Sequence, residues 1–262
     1  MPFTTLRLAF DGPVARLHLT RPDVHNAFDD VFISEMNEAL GQLAGRSDVR
    51  IVVLAGEGKS FCAGADLNWM KRALGYTRDE NRRDARAMAE MFRRLCELPQ
   101  AVVARVHGAA IGGGVGLVAC CDIAIASDAA KFGLAEVKLG ILPAVISPFV
   151  IGKIGAGAAR EYFLTGARFD AAEARRIGLV NRVVTAEKLD EAVDGIANDL
   201  LTSGPEAIAH TKQLIRFVAN ATMDAALDHA VEAICERRTS REGQEGMNAF
   251  LEKRKADWIP ER

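Results

Sequence analysis

Short apolar segments rich in β-branched residues alternate with helical segments through the first half of the sequence. "VRIVVLAGEG", "AVVARVHG" and "DIAIAS" are typical of buried strands, whereas "DDVFISEMNEALGQLAGR" and "RRDARAMAEMFRRLCELP" place apolar residues at helical spacing. Strands separated by helices favour parallel pairing through crossover connections. The pattern therefore predicts an α/β fold.

Both ends of the chain depart from this alternation. "TLRLAF" and "VARLHLT" flank the turn signal Asp11-Gly12-Pro13, which predicts an opening β-hairpin. From about Gly155 the segments are nearly all helical, and Gly204-Pro205 marks a break between two of them. We therefore predict a core over residues 1–200 and a helical C-terminal region over residues 201–262.

Composition excludes several classes of function. The formal net charge is −2 and basic residues are dispersed, so neither a nucleic-acid partner nor an anionic membrane is expected. The apolar run from Leu117 to Ala126 is interrupted by Asp122 and falls well short of the ~20 residues of a membrane span. The N-terminus lacks the pattern of a signal peptide, and five cysteines in mostly apolar contexts favour reduced thiols. A cytoplasmic location is expected.

Motifs for several common chemistries are missing. "GEGKS" lacks the first glycine of a phosphate-binding loop, and "GKIGAG" has its glycines in the wrong order for a dinucleotide site. The five histidines match no metal-binding spacing, and no G-x-S-x-G is present. We expect no metal ion and no serine nucleophile of that type.

Two glycine-bearing segments, "FCAGADL" and "GAAIGGGVGL", each follow a predicted strand and precede a predicted helix. Turns in that position leave backbone N–H groups free at the carboxyl end of a strand, where open sheets bind ligands. Two such groups aimed at one point would stabilise a developing oxyanion. The alternative is that both are close-packing turns, which glycine serves equally well.

Glu136 is the candidate acid or base. It stands among Leu134, Ala135, Val137 and Leu139, and apolar surroundings raise the pKa of a carboxyl group toward the range of proton transfer. The alternative is a partly exposed loop glutamate beside a lysine.

The same segments, together with "YFLTGARFDAAEARRIGLVNRVV" and the closing "EGQEGMNAFLEKRKADW", resemble the enoyl-CoA hydratase/isomerase (crotonase) family nearly end to end. The resemblance implies a spiral of repeated ββα units with a C-terminal helical region. It also implies an acyl-CoA thioester substrate, no cofactor beyond the coenzyme A of that substrate, and a homotrimer or dimer of trimers.

Matched motif by motif, the resemblance also implies roles for individual residues. The N–H groups of Ala65 and Gly113 would form the oxyanion hole, and Glu136 would be the catalytic carboxylate. The residues implied to bind substrate are Ala65, Asp66, Leu67, Asn68, Gly113, Gly116, Phe250 and Lys253. The last two belong to a C-terminal region that approaches coenzyme A, in some relatives in the neighbouring subunit.

One position departs from the family pattern. Hydratases of the family usually carry a second glutamate where this chain has Gly116, and "AVISPF" stands where relatives commonly have a glycine-rich stretch. These departures are similar to a bacterial branch of methylglutaconyl-CoA hydratases. The reaction implied is reversible hydration of 3-methylglutaconyl-CoA or a related carboxylated enoyl-CoA, with Gly116 leaving room for the substrate carboxylate.

Two other functions remain open. A double-bond isomerase needs only one base and the same oxyanion hole, so Glu136 alone would suffice. A catalytically silent member that binds acyl-CoA or RNA would also fit the loss of a glutamate at Gly116.

Overall fold

The hairpin predicted at the start of the chain is present in the computed structural model, which describes residues 3–260. β1 (Leu6–Asp11) pairs antiparallel with β2 (Val14–Leu19), and the pairing closes at Asp11 opposite Val14. Gly12 makes this tight turn possible because its φ of 52° is unfavourable for other residues.

The large sheet continues from this hairpin in parallel, as predicted, in the order β1-β2-β3-β4-β6-β9. A small sheet has the order β5-β7-β8. The remaining strands are β3 (Ile51–Gly56), β4 (Ala101–Val106), β5 (Ala109–Ile111), β6 (Ile123–Ser127), β7 (Lys131–Gly133), β8 (Arg168–Asp170) and β9 (Arg182–Val184).

Helices connect the strands and then form the C-terminal region. Along residues 3–260 they are α1 (Asp30–Ala44), α2 (Leu67–Ala73), α3 (Arg78–Glu97), α4 (Gly113–Cys120), α5 (Ser147–Thr165), α6 (Ala171–Arg176), α7 (Leu189–Leu201), α8 (Pro205–Val218), α9 (Met223–Thr239) and α10 (Arg241–Glu252). Within this range no helix is both apolar and long enough to cross a bilayer.

The repeated ββα units are visible in how the chain visits the two sheets. A strand of the large sheet is followed by a short strand of the small sheet and then by a helix, as in β4-β5-α4 and β6-β7-α5. Single bridges extend this pattern to earlier units, since Cys62 pairs with Ala110 and Ala65 pairs with Phe28. The mixed α/β fold with C-terminal helices is confirmed.

The core lies on both faces of the large sheet. One face packs against α1, α3 and α4 through residues such as Leu17, Val52 and Leu54, all fully buried. The other face packs Val53 and Val103 against α7. Burial on both faces explains why the parallel strands are continuous apolar runs.

Several boundaries differ from the sequence prediction. The three-residue strands of the small sheet were not predicted, because so short a segment carries no periodic signal. Helix α5 starts at Ser147, before the predicted change of character, and bends at Gly155, which has φ of 73°. The predicted boundary at residue 200 falls in the last turn of α7, just before the gap that separates α7 from α8, and independence of the two parts stays a prediction.

Candidate functional site

The two glycine-bearing segments lie side by side. The N–H of Cys62 donates to Ala109 O at 3.0 Å, and the N–H of Ile111 donates to Cys62 O at 2.9 Å. Gly64 has φ of 87°, and a Cβ at that position would lie 2.8 Å from Ile111 O and 3.6 Å from Gly113 N. Glycine is therefore required where the two turns meet.

Each turn presents one free N–H group. The bridge to Phe28 uses Gly64 O and the N–H of Asp66, at 2.8 and 3.0 Å, and leaves the intervening N–H of Ala65 unbonded. Gly113 is the first residue of α4, where the helix supplies no acceptor for its N–H. Among the described residues neither group has a protein acceptor. Two adjacent free donors suit an anionic oxygen.

Glu136 lies at the same place and opens a short 3-10 turn that ends at Leu139. Its Oε2 atom is buried and has no hydrogen-bond partner among residues 3–260. Burial raises the pKa of this carboxyl group, although the residue's own N–H group partly offsets the effect. A Cβ at Gly112 would lie 2.9 Å from Oε1, so the glycine turn also makes room for the carboxylate.

These groups border one cavity of about 480 Å³ with a mostly apolar wall. Its inner end is buried and its mouth is exposed, with Leu67 and Leu142 at least 70% accessible. The apolar side chains of its wall include Phe28, Trp69, Met88, Leu139, Leu142 and Ile146. Such a cavity with few polar groups is typical of a site for a small organic ligand.

Helix α3 contributes a polar patch to the wall. Asn81 and Asp84 lie on the helix face that also carries Ala85 and Met88. The side-chain amide of Asn81 donates to Tyr76 O at 3.2 Å and to Thr77 O at 3.0 Å. No lysine or arginine of residues 3–260 belongs to this wall, so negative ligand groups meet no side-chain cation there.

The structure separates the residues that were predicted together around Ala65. Leu67 lies on the cavity wall, but Asp66 and Asn68 do not. Asp66 instead caps α2 by accepting from Asn68 N at 2.7 Å, and it pairs with Arg21 at 3.0 Å. Asp66 and Asn68 therefore lie off the wall of this cavity, and a role for them along the acyl-CoA path stays a prediction.

Gly116 is also absent from the wall. It faces the interior of the fold, where a Cβ would overlap Ile146 Cγ2 and lie 3.0 Å from both Ile146 Cβ and Phe92 Cε1. The prediction that Gly116 leaves room for a substrate carboxylate is therefore wrong, because Ile146 fills that room.

Phe250 and Lys253 lie far along the chain, at the end of α10. Phe250 is 83% exposed, Lys253 caps the helix with φ of 57°, and neither borders the cavity. Helix α10 packs on α8 and α9. A role for these residues at a neighbouring subunit stays a prediction.

Sequence reasoning missed several wall residues. Trp69, Asp84 and Met88 come from α2 and α3, and the helical spacing of the last two marked a shared face. Ile146 had a signal in "AVISPF", which departs from the glycine-rich stretch of relatives. Phe28 had no sequence signal, because a single β-bridge brings it to the site.

A second cavity, of about 540 Å³, lies at the carboxyl ends of β2, β3 and β4. Its cations are already paired, Arg7 with Glu57 and Arg105 with Asp190 at 2.5 Å each. The Nε2 atom of His107 bonds to Gly58 O. Its two carboxylates, Glu57 and Asp190, are the partners of these arginines, whereas Glu136 Oε2 has no partner among residues 3–260, so the apolar cavity is the better candidate.

No group of three histidine, cysteine, aspartate or glutamate side chains within residues 3–260 lies close enough together to hold a metal ion. The polar groups of the site are therefore two backbone donors, Glu136 and the patch on α3. That set can polarise a carbonyl group and transfer a proton beside it.

Comparison with known proteins places this arrangement in a family. Residues 9–261 match Enoyl-CoA hydratase/isomerase. The chain belongs to the enoyl-CoA hydratase/isomerase family. The short-chain-enoyl-CoA hydratase of Clostridium acetobutylicum is 36% identical over 100% of both chains, and the crotonyl-CoA hydratase of Syntrophomonas wolfei is 34% identical over 99% of both. A solved enoyl-CoA hydratase from Shewanella pealeana superposes with a TM-score of 0.95 at 41% identity, covering 98% of this chain and 96% of that one.

Proposed function

We propose that this member of the enoyl-CoA hydratase/isomerase family catalyses reversible addition of water to the 2,3 double bond of 2-enoyl-CoA thioesters. The observation that carries the proposal is Glu136, a half-buried side chain whose Oε2 atom is buried and has no partner among the described residues, beside two free N–H groups on an apolar cavity. The names of the enoyl-CoA and crotonyl-CoA hydratase relatives support the same reaction.

The N–H groups of Ala65 and Gly113 bind the thioester oxygen. As water attacks C3, the electrons of the double bond move toward that oxygen and the acyl group becomes an enolate. Both donors strengthen their hydrogen bonds as this charge grows, and one such donor is typically worth about 3 kcal/mol. The N-terminal end of α4 adds its positive dipole at Gly113.

Glu136 moves the protons. Its carboxylate orients the water and takes one proton as the new bond to C3 forms, and a proton is then delivered to C2 of the enolate. A raised pKa suits both steps, since the group must accept and release a proton near neutral pH. With Gly116 in place of a second glutamate, Glu136 performs this exchange without a partner carboxylate from α4.

Within this class we propose a carboxylated acyl group, with 3-methylglutaconyl-CoA as the first candidate. Its support is the resemblance of the segments around Glu136 and "AVISPF" to methylglutaconyl-CoA hydratases. The described wall holds Asp84 and no cationic side chain. We therefore expect the preference for a terminal carboxylate over a neutral chain to be modest.

One assay tests both levels of the proposal. Purified protein is mixed separately with crotonyl-CoA, 3-methylcrotonyl-CoA, 3-methylglutaconyl-CoA and a 3-enoyl-CoA, and products are identified by mass spectrometry. The proposal expects 3-hydroxyacyl-CoA products, no loss of rate after dialysis against a chelator, and turnover of 3-methylglutaconyl-CoA. Turnover of neutral acyl groups alone refutes the carboxylated substrate, and absence of any hydrated product refutes the hydratase.

The isomerase is the second candidate, and one observation favours it. Glu136 is the single glutamate on the described cavity wall, and moving a proton between C2 and C4 needs one base. Conversion of the 3-enoyl-CoA into its 2-enoyl isomer as the sole product, with no hydrated product from any substrate, would establish this alternative.

We also propose that the chain forms a homotrimer or a dimer of trimers. Its support is the family resemblance together with exposed apolar side chains on the C-terminal helices, including Ile215, Met223, Leu227 and Phe250. Large exposed apolar patches on a protein often mark interaction sites. Light scattering on purified protein tests this: a mass of three or six chains is expected, and a monomer would refute it.

A further inference from the structure

The inner end of the cavity is closed by residues from three different parts of the chain. Phe28, Trp69 and Ile146 line it and are 1%, 8% and 4% exposed. Ile146 is the only one of the three that immediately precedes a long helix. Its carbonyl accepts from Val150 N at 3.0 Å, which fixes the residue at the start of α5.

The side chain of Ile146 packs directly against Gly116 of α4. A Cβ at position 116 would overlap the Cγ2 methyl group of Ile146, so the two helices approach closely only because α4 has a glycine there. Phe92 of α3 packs at the same contact between Ile146 and Gly116 and is fully buried. Its ring packs against those of Phe28 and Phe149, with centroids 6.4 and 6.0 Å away. Ile146 therefore has little room to move away from the cavity.

The contact between Ile146 and Gly116 is close to the place where the thioester is proposed to bind. Gly113 and Gly116 are three residues apart in α4, which corresponds to slightly less than one turn and about 4.5 Å along the helix axis. The free N–H of Gly113 holds the thioester oxygen in the proposed reaction. In the proposed complex, Ile146 therefore borders the buried end of the cavity, where the acyl carbons beyond the carbonyl group lie.

We propose that Ile146, seated on Gly116, is a specificity-determining residue that limits how far the acyl chain extends past the double bond. The inference rests on the proposed hydratase function. The acyl groups that fit are short ones, because a longer chain must displace a branched side chain that Gly116 and Phe92 hold in place. Removing the branched side chain leaves the catalytic groups unchanged and opens space behind the double bond.

The test compares Ile146→Ala with Ile154→Ala. Ile154 lies two turns further along α5, is 8% exposed and is absent from the cavity wall, so the same substitution there removes core packing alone. Values of kcat/KM are measured for crotonyl-CoA and trans-2-octenoyl-CoA. A methylene group in an apolar pocket is worth roughly 10- to 200-fold. We expect the octenoyl-to-crotonyl ratio to rise by about tenfold or more in Ile146→Ala and to change less than about threefold in Ile154→Ala.

Binding of saturated acyl-CoA keeps this test independent of the reaction. Calorimetry with butanoyl-CoA and octanoyl-CoA measures the preference for acyl-chain length without any hydration. It can therefore be measured even if the protein is not a hydratase, so failure of the hydratase proposal and failure of this inference are distinguishable. A preference for the longer chain that rises in Ile146→Ala supports the inference. Equal ratios in Ile146→Ala, Ile154→Ala and wild type, in kinetics and in binding, overturn it.

A double-mutant cycle tests the contact between Gly116 and Ile146. Gly116→Ala is expected to lower the melting temperature because its methyl group overlaps Ile146, and the loss in the double variant with Ile146→Ala is expected to be smaller than the sum of the two single losses. Additive effects of the two substitutions would show that Gly116 does not hold Ile146 in place.

Discussion

Asp66 and Glu136 are carboxylates at the starts of two short helical segments, and their surroundings are opposite. Asp66 accepts hydrogen bonds from the N–H groups of Asn68 and Trp69 and pairs with Arg21 at 3.0 Å. Burial alone would raise its pKa, but these partners outweigh burial and hold the pKa below its usual value. Glu136 has a buried oxygen without a partner, and burial raises its pKa.

The difference separates a structural carboxylate from a candidate catalytic one. A carboxylate whose charge is fully paired is stable as an ion and has little tendency to take a proton at neutral pH. A carboxylate left without partners in an apolar wall is costly as an ion, and a fold keeps such a group where reactivity compensates for the loss of stability. Of the two, Glu136 is the one suited to proton transfer.

The largest expected effect comes from Glu136→Gln. The amide keeps the size of the side chain but cannot take a proton, and general acid–base groups typically contribute about 10²- to 10⁴-fold. We expect the hydration rate of crotonyl-CoA to fall by about that factor, while the dissociation constant for butanoyl-CoA changes little. Asp66→Asn is the matched control, and a comparable loss of rate there would remove the distinction between the two carboxylates.

A smaller loss of activity is expected from Gly112→Ala. The added methyl group would lie 2.9 Å from Glu136 Oε1, and the backbone φ of 53° is unfavourable for alanine. The carboxylate is therefore displaced while its chemistry is retained. Steady-state kinetics are expected to show a lower kcat, with Gly12→Ala as a control of similar φ in open space. Unchanged kcat in Gly112→Ala would contradict the placement of Glu136.

Asp66 is expected to matter for stability. Asp66→Ala removes a helix cap, typically worth about 0.5–2 kcal/mol, and also leaves Arg21 with one fewer carboxylate partner. Denaturant unfolding is expected to show a loss of at least this size. Asp66→Asn retains an acceptor for the cap and is expected to lose less. Equal stability of Asp66→Ala and wild type would mean that the cap and ion pair contribute nothing.

The smallest effect is a pH-dependent gain in stability for Glu136→Gln. In the folded state the pKa of Glu136 lies above its usual 4.5, so ionisation costs more in the folded than in the unfolded protein. That cost is absent at low pH and is fully present once the pH has risen past the raised pKa. The variant is therefore expected to gain stability over wild type as pH rises, measured by unfolding from acid to neutral pH. A gain that is constant across pH would contradict the raised pKa.

Much of the site followed from sequence because its parts are local. The turns around Ala65 and Gly113 were recognisable as glycines between a strand and a helix, and the apolar neighbours of Glu136 indicated burial. The features of the site that could not be predicted from the sequence depend on tertiary contacts. Sequence does not show that Asp66 pairs with Arg21, which is distant along the chain, or that Ile146, at the start of α5, fills the space beside Gly116.

The most direct test is to titrate Glu136 and compare the result with the pH dependence of kcat/KM. The carboxyl carbon of Glu136, labelled with ¹³C and assigned by its loss in Glu136→Gln, reports its pKa by nuclear magnetic resonance. We expect a pKa above the usual 4.5 and an acidic limb of kcat/KM at the same pH. A pKa at or below 4.5, or an acidic limb that persists unchanged in the residual activity of Glu136→Gln, would contradict this expectation.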